Sequence, residues 1–174
     1  KYLMLNQYEN EANPQAHYPT TGPEILRDLP EMTHFVAGLG TGGTLTGVGR
    51  FVAESAPQVR VVAAEPEHGE LVYGLRSLDE GFVPPVLDES VIHSKIKVSA
   101  QDSVHWTREL LTQEGIFTGI SSGATVHVAR RISERVEEAD IVCLFADGGW
   151  KYLSTEIWTK RLEQAARDVE YVPW

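Results

Sequence analysis

Ten residues, Gly38 to Gly47 (GLGTGGTLTG), hold five glycines and three threonines directly after the apolar run HFVA. Glycine lets a backbone turn tightly and approach a ligand closely, and the first amides of a following helix lack intrahelical partners. Such a loop suits a phosphate, because its amide dipoles favour negative charge. Thr41 and Thr44 add hydroxyl donors. Two guests fit these residues. GLGTGG satisfies G-x-G-x-x-G through Gly38, Gly40 and Gly43, and Glu65 ends the next apolar run 22 residues after Gly43, where a ribose-binding acid would sit. That is the reading of a nicotinamide-dependent Rossmann domain. The compact GTGGT (Gly40, Thr41, Gly42, Gly43, Thr44) instead forms a cup for one terminal phosphate, which suits a monophosphate ester cofactor. A tight turn that binds nothing rarely needs so many glycines.

The elements that must position this loop show as alternating patterns. MTHFVAG (32–38) predicts a strand, TLTGVGRFVAESA (44–56) a helix, and VRVVAAE (59–65) a second strand bounded by Pro57 and Pro66. KIKVS (95–99) predicts a third strand. Helices follow over Ser103–Gly115, with Gly115 as C-cap, and over Ser122–Glu138. ADIVCLFAD (139–147) reads as the clearest buried strand, and Lys151–Glu170 as a final amphipathic helix. This order is that of a doubly wound, mostly parallel α/β sheet covered on both faces. Ligands bind such sheets beyond the carboxyl ends of the strands, where the glycine loop falls. The stretch from Glu67 to Ser94, with Pro84–Pro85, is less regular and predicts a long active-site loop or a link around the sheet.

Composition bounds the rest. The 174 residues suit one domain, and 42% hydrophobic with 23% charged residues is ordinary for a soluble globular protein. A net charge of −10 lacks the basic footprint of a nucleic-acid binder. No apolar stretch reaches the length of a membrane helix, and the start KYLMLNQYEN has no cleavable apolar core, so a cytoplasmic protein is expected. The single cysteine, Cys143, excludes an internal disulfide and sits in the run IVCLF as a core thiol. The six histidines show no metal-ligand spacing, so no metal is assigned; His127, among valines, reads as a satisfied helix histidine. The chain does not open on methionine, and residues 1–19 are polar, which suggests a fragment or processed piece. Trp158 and Trp174 suggest a buried or dimeric C-terminal surface.

GTGGTLTGVGRF, with TTGPEI (20–25) upstream and GISSGA (119–124) and DGGWKYLST (147–155) downstream, resembles the cysteine synthase family, pyridoxal-phosphate enzymes of fold type II. The resemblance runs from about Gln7 to Thr155. It implies pyridoxal 5′-phosphate as cofactor, its phosphate held by GTGGT and its pyridine nitrogen met by Ser121. It further implies that this chain is the C-terminal portion of the enzyme, mostly the larger cofactor domain, incomplete at its N-terminal side. The Schiff-base lysine and the cup for the substrate carboxylate belong to the family's N-terminal half. None of Lys1, Lys95, Lys97, Lys151 and Lys160 matches that lysine, so the chain alone is expected to be inactive and a catalytically silent module is an alternative. Lys95 and Lys97 alternate with Ile96 and Val98 as a solvated face.

The implied chemistry is β-replacement. A neutral serine hydroxyl does not force protonation of the ring nitrogen as a carboxylate would, which makes the ring a weaker electron sink and suits prompt loss of a β-leaving group. Ser121 and Ser122 also fit a helix N-cap, with one serine in each role. Asp147 stands where relatives often have a small residue, so it is not expected to contact the ring. YGLRS places Arg76 in the segment flanking the family's active site, next to GFVPPVLD. A guanidinium offers a planar fork to a phosphate, so O-phosphoserine fits better than O-acetylserine. This resembles the O-phosphoserine sulfhydrylase branch, or cysteine synthase B, in which the sulfur donor can be the thiocarboxylated tail of a small carrier protein. A homodimer is expected. The competing possibility for Arg76 is a surface pair with Asp79 or Glu80. Threonine dehydration and cystathionine formation share the same glycine loop.

Overall fold

The computed structural model describes residues 2–169; Lys1 and residues 170–174, including Trp174, lie outside the described residues. Four parallel strands, β1 (His34–Gly38), β2 (Arg60–Pro66), β3 (Ser94–Val98) and β4 (Ile141–Cys143), form one sheet in the order β3-β2-β1-β4. Six helices accompany it: α1 (Ala12–His17), α2 (Thr21–Asp28), α3 (Gly43–Ser55), α4 (Ala100–Glu114), α5 (Ile120–Ser133) and α6 (Leu162–Val169).

Successive strand residues point to opposite faces, so the continuous apolar runs feed two cores. Phe35 and Ala37 of β1 and Val61 and Ala63 of β2 pack with Leu45, Val48 and Val52 of α3. Val36, Val62 and Ala64 pack on the other face with Val104 of α4 and Ala124 and Val128 of α5. Both faces are therefore dry, which explains why VVAA carries no polar alternation.

Three expectations need correction. The run 139–147 is a strand only over Ile141–Cys143, and its residues are half-buried rather than buried. It pairs with β1 alone, at the margin of the sheet. Helix α5 starts at Ile120 and stops at Ser133, short of Glu138. The acidic run Glu134, Glu137, Glu138 would place negative charge on the negative end of the helix dipole. The final segment is not one helix from Lys151. A 3₁₀ helix over Gly149–Thr155 ends at Glu156, which has φ 54°, before α6 begins. The chain turns there to bury Ile157, and the Arg108 guanidinium donates to the carbonyls of Ile157 and Lys160. Tertiary packing overrides the amphipathic pattern.

Helix α4 begins at Ala100, earlier than its apolar spacing suggests, because Ser99 caps it by accepting from the Asp102 N–H at 3.0 Å. Gly115 is the left-handed C-terminal residue, as expected, with φ 69°. Helices α4 and α5 meet closely at Gly123, whose missing side chain admits the Ser103 carbonyl and leaves the Thr107 nitrogen 2.6 Å from where a Cβ would stand. Neither neighbour is a flexible side-chain end. Gly123→Ala is expected to destabilise the protein by about 3 kcal/mol or more, a fall in melting temperature of roughly 6–12 °C for this size. A calorimetric melt that matches wild type would contradict this packing.

Candidate functional site

Strand β1 runs directly into the glycine loop, and α3 starts at Gly43 behind it. The N–H groups of Gly40, Thr41, Gly42 and Thr44 donate to nothing among the described residues. Gly43 differs: its N–H donates to Thr41 Oγ1 at 3.2 Å, and its Cα lies against the Asn13 side chain. Thr41 Oγ1 also accepts from Asn13 Nδ2 at 3.0 Å. With two donors aimed at its oxygen, the Thr41 hydroxyl keeps its own proton to donate elsewhere. Gly42 has φ 85°, a conformation that side chains disfavour. At Gly40 a Cβ would collide with the Gly74 carbonyl oxygen.

Helix α1 braces this loop, a role that sequence reasoning missed. Besides Asn13, it supplies His17, whose Nε2 lies 3.2 Å from Thr44 Oγ1 and whose Nδ1 lies 3.0 Å from Thr21 Oγ1. Burial lowers the His17 pKa, which favours the neutral ring with one nitrogen donating and the other accepting. The helix is short and polar, and only Asn10, which accepts from the Ala12 N–H at 3.0 Å, marks its start.

The loop forms one wall of a cleft of about 640 Å³. Gly40, Thr41, Gly42, Thr44, Arg76 and Ser121 all line it, so the structure brings together every proposed site residue except Gly43, which stands behind the loop. Ser121 lies in the first turn of α5, is buried, and makes no side-chain hydrogen bond among the described residues. Neither serine caps this helix; Gly119 occupies the N-cap position. Ser122 is fully buried, and its hydroxyl has no partner among the described residues.

The irregular stretch after β2 contributes another wall. The Arg76 N–H donates to the Leu39 carbonyl at 2.7 Å, tying this stretch to the glycine loop. The guanidinium lies 5.4 Å from the Tyr8 ring centroid and 5.0 Å from that of Phe82. It forms no ion pair with Asp79 or Glu80, and its buried Nε has no hydrogen-bond partner among the described residues. Asp79 instead meets Lys97 at 2.6 Å. Lys97 is thus no solvated surface lysine. Burial works against its charge, but hydrogen bonds to Asp79 and Glu65 prevail and raise its pKa. Lys95 pairs with the exposed Glu89 at 2.7 Å.

Glu65 does not line the cleft. It is 2% exposed and accepts from the Leu78 N–H at 2.7 Å and from Lys97 at 2.9 Å. A ribose-binding acid must face the nucleotide, so this geometry removes the support for a dinucleotide. Asp147 and Tyr152 also line the cleft. The Tyr152 hydroxyl donates to Asp147 Oδ2 at 2.8 Å, and burial together with that bond raises the phenol pKa, so it stays protonated. Asp147 Oδ1 is buried and has no partner among the described residues.

Other candidates recede. The Cys143 thiol is pushed up to about 11 by burial. His127 is buried but not satisfied: its Nδ1 has no hydrogen bond, and Asp102 stands 3.7 Å away. Burial lowers its pKa more than Asp102 raises it. Among the described residues no cluster of His, Cys, Asp or Glu could hold a metal ion, and no helix is long and apolar enough to cross a membrane.

A family model described as "Pyridoxal-phosphate dependent enzyme" matches residues 1–147. Cysteine synthase B of Escherichia coli is 39% identical over 155 residues, 88% of this chain and 51% of that protein. The cysteine synthase of Aquifex aeolicus is 38% identical, covering 92% of this chain and 51% of its own length. A crystal structure of O-ureido-L-serine synthase superposes with a TM-score of 0.81 at 40% identity, covering 88% of this chain and 52% of that one. The chain thus spans about half the length of the relatives it matches.

Proposed function

This chain belongs to the pyridoxal-phosphate dependent enzyme family, and from that premise we propose that it forms the cofactor-holding part of a cysteine synthase that uses O-phosphoserine. The observation that carries the reading is the set of four amides and two hydroxyls at one end of a cleft, the amides without an acceptor among the described residues, with the Ser121 hydroxyl and the Arg76 guanidinium, which has no ion-pair partner there, on its other walls. This donor set fits the cofactor: a dianion at Gly40, Thr41, Gly42 and Thr44, and a ring nitrogen at Ser121. Gly43 holds the Thr41 hydroxyl in place rather than donating to the phosphate.

Pyridoxal phosphate, once bound, supplies an electron sink that acidifies the α-hydrogen of an amino acid. The chain's own residues then bind and orient. The loop amides would hold the phosphate end without first breaking another hydrogen bond, since none of the four has an acceptor among the described residues. Asn13 and His17 keep Thr41 and Thr44 in register for the same anion. Ser121 offers a neutral partner, which keeps the ring from being forced into its protonated form. Tyr152 remains protonated on Asp147 and closes part of the wall against water.

Relatives differ in their named activities, cysteine synthase in some and O-ureido-L-serine synthase in another, so the choice of substrate rests on this cleft. A cation without a carboxylate partner favours a leaving group that departs as a dianion. Full-length enzyme loaded with cofactor and mixed with each serine ester in turn is expected to release phosphate from O-phosphoserine at least tenfold more efficiently than acetate from O-acetylserine, on the strength of one charge-assisted contact of about 1.5–3 kcal/mol. A preference for the acetyl ester would overturn the substrate assignment while leaving the cofactor site intact.

A further inference from the structure

Lys97 and Glu65 are register partners on β3 and β2, so their side chains leave the same face of the sheet. Above them sits the segment that follows Arg76. The Lys97 ammonium reaches Glu65 Oε1 at 2.9 Å, Asp79 Oδ2 at 2.6 Å and Ser77 Oγ at 3.2 Å. Glu65 Oε1 in turn accepts from the Leu78 N–H. Residues 77–79 are therefore pinned to the sheet by a cluster of two carboxylates and one cation. Arg76 is held between this cluster and the glycine loop, through its own N–H on the Leu39 carbonyl.

The charge arrangement is unusual in one respect. Two carboxylates lie within three residues of Arg76 or beneath the turn that follows it, yet neither pairs with its guanidinium. Both are taken by Lys97. Without that ammonium, a nearly buried carboxylate would need another cation, and Arg76 is the next one on the segment. The same change would shift the cluster from a net charge of −1 to −2 beside an anion site, which repels the guest.

We propose that Lys97 is a positioning residue for anion recognition: by occupying Glu65 and Asp79 it keeps Arg76 free for the substrate's anionic group. The inference rests on the reading of Arg76 as the anion-binding group. Lys97 itself does not line the cleft and is not a catalytic residue.

The test uses full-length, cofactor-loaded enzyme and inorganic phosphate as the probe, titrated by calorimetry, alongside kinetics with both serine esters. Lys97→Met should weaken phosphate binding about tenfold and raise KM for O-phosphoserine in parallel, with kcat and the O-acetylserine parameters within about twofold. Lys97→Met combined with Glu65→Gln should recover phosphate binding to within about threefold of wild type, because the buried carboxylate is gone and the cluster, now the exposed Asp79 alone, returns to its original net charge of −1. A purely structural tether predicts no recovery, since the ammonium is still missing. Glu65→Gln alone, nearly isosteric, should bind phosphate at least as tightly as wild type, and it serves if the Met variant does not fold. Wild-type affinity in Lys97→Met, a double variant no better than the single one, or looser binding in Glu65→Gln would each overturn the inference. A wild-type enzyme that neither binds phosphate nor prefers O-phosphoserine overturns the substrate reading, and this inference with it.

Discussion

Full-length enzyme carrying Gly40→Ala is expected to bind pyridoxal phosphate roughly 100- to 10,000-fold more weakly than wild type, with little pigment retained after gel filtration. The added methyl would collide with the Gly74 carbonyl oxygen, which is backbone and cannot swing aside. The loop must then move away from the stretch bearing Arg76, and the amides of Gly40 and Thr41 lose their common focus. Two charge-assisted hydrogen bonds to a dianion are each worth about 1.5–3 kcal/mol, which sets the range. Thr41→Val is the milder companion, because it adds no backbone clash; it removes one hydroxyl donor together with the acceptor for Gly43 and Asn13, and should lose about tenfold. Cofactor absorbance titrated into apoenzyme measures both. Wild-type affinity in Gly40→Ala would mean that the phosphate sits elsewhere.

Arg76→Ala is expected to lower kcat/KM for O-phosphoserine on the order of 100-fold while leaving O-acetylserine within about threefold. The guanidinium sits against the Tyr8 and Phe82 rings, which meet each other edge-to-face, and has no carboxylate partner among the described residues, so an anion entering the cleft meets a cation that need not first break an ion pair. Its contact with the two rings also limits the side-chain freedom lost on binding. Removal therefore costs the charged contact and little else, which is why the neutral ester should hardly notice. Equal losses with the two esters would identify Arg76 as a packing residue for the cleft and withdraw the case for a phosphorylated substrate.

The place of the glycine loop was legible because its signal is local. Five glycines between a strand and a helix leave few other uses, and Gly40, Thr41, Gly42 and Thr44 do line the cleft. The sheet was legible because VVAA and HFVA are apolar on both faces. What escaped depends on contacts between distant residues. Nothing in a lysine alternating with Ile96 and Val98 reveals that it faces a buried Glu65 across the strand pair. Asn13 and His17 brace the loop from 28 and 27 residues away, too far for any spacing rule to join them. The G-x-G-x-x-G match and its acid at Glu65 misled for the opposite reason: spacing along the chain was right, but the carboxylate points under the turn instead of at a ligand. The final segment failed because an amphipathic pattern cannot foresee that Arg108 would gather the carbonyls of Ile157 and Lys160.

The half-buried Cys143 has a practical consequence. With its pKa near 11, only about one thiol in ten thousand is ionised at neutral pH, and the ionised form is the one that maleimides and other alkylating reagents attack. Since this chain contributes no second cysteine, a cysteine introduced at the exposed Glu80, outside the Lys97 cluster, would be the fast-reacting position within it. A fluorophore or spin label there would report directly on how the segment carrying the arginine moves when an ester arrives, without first rebuilding the interior of the sheet.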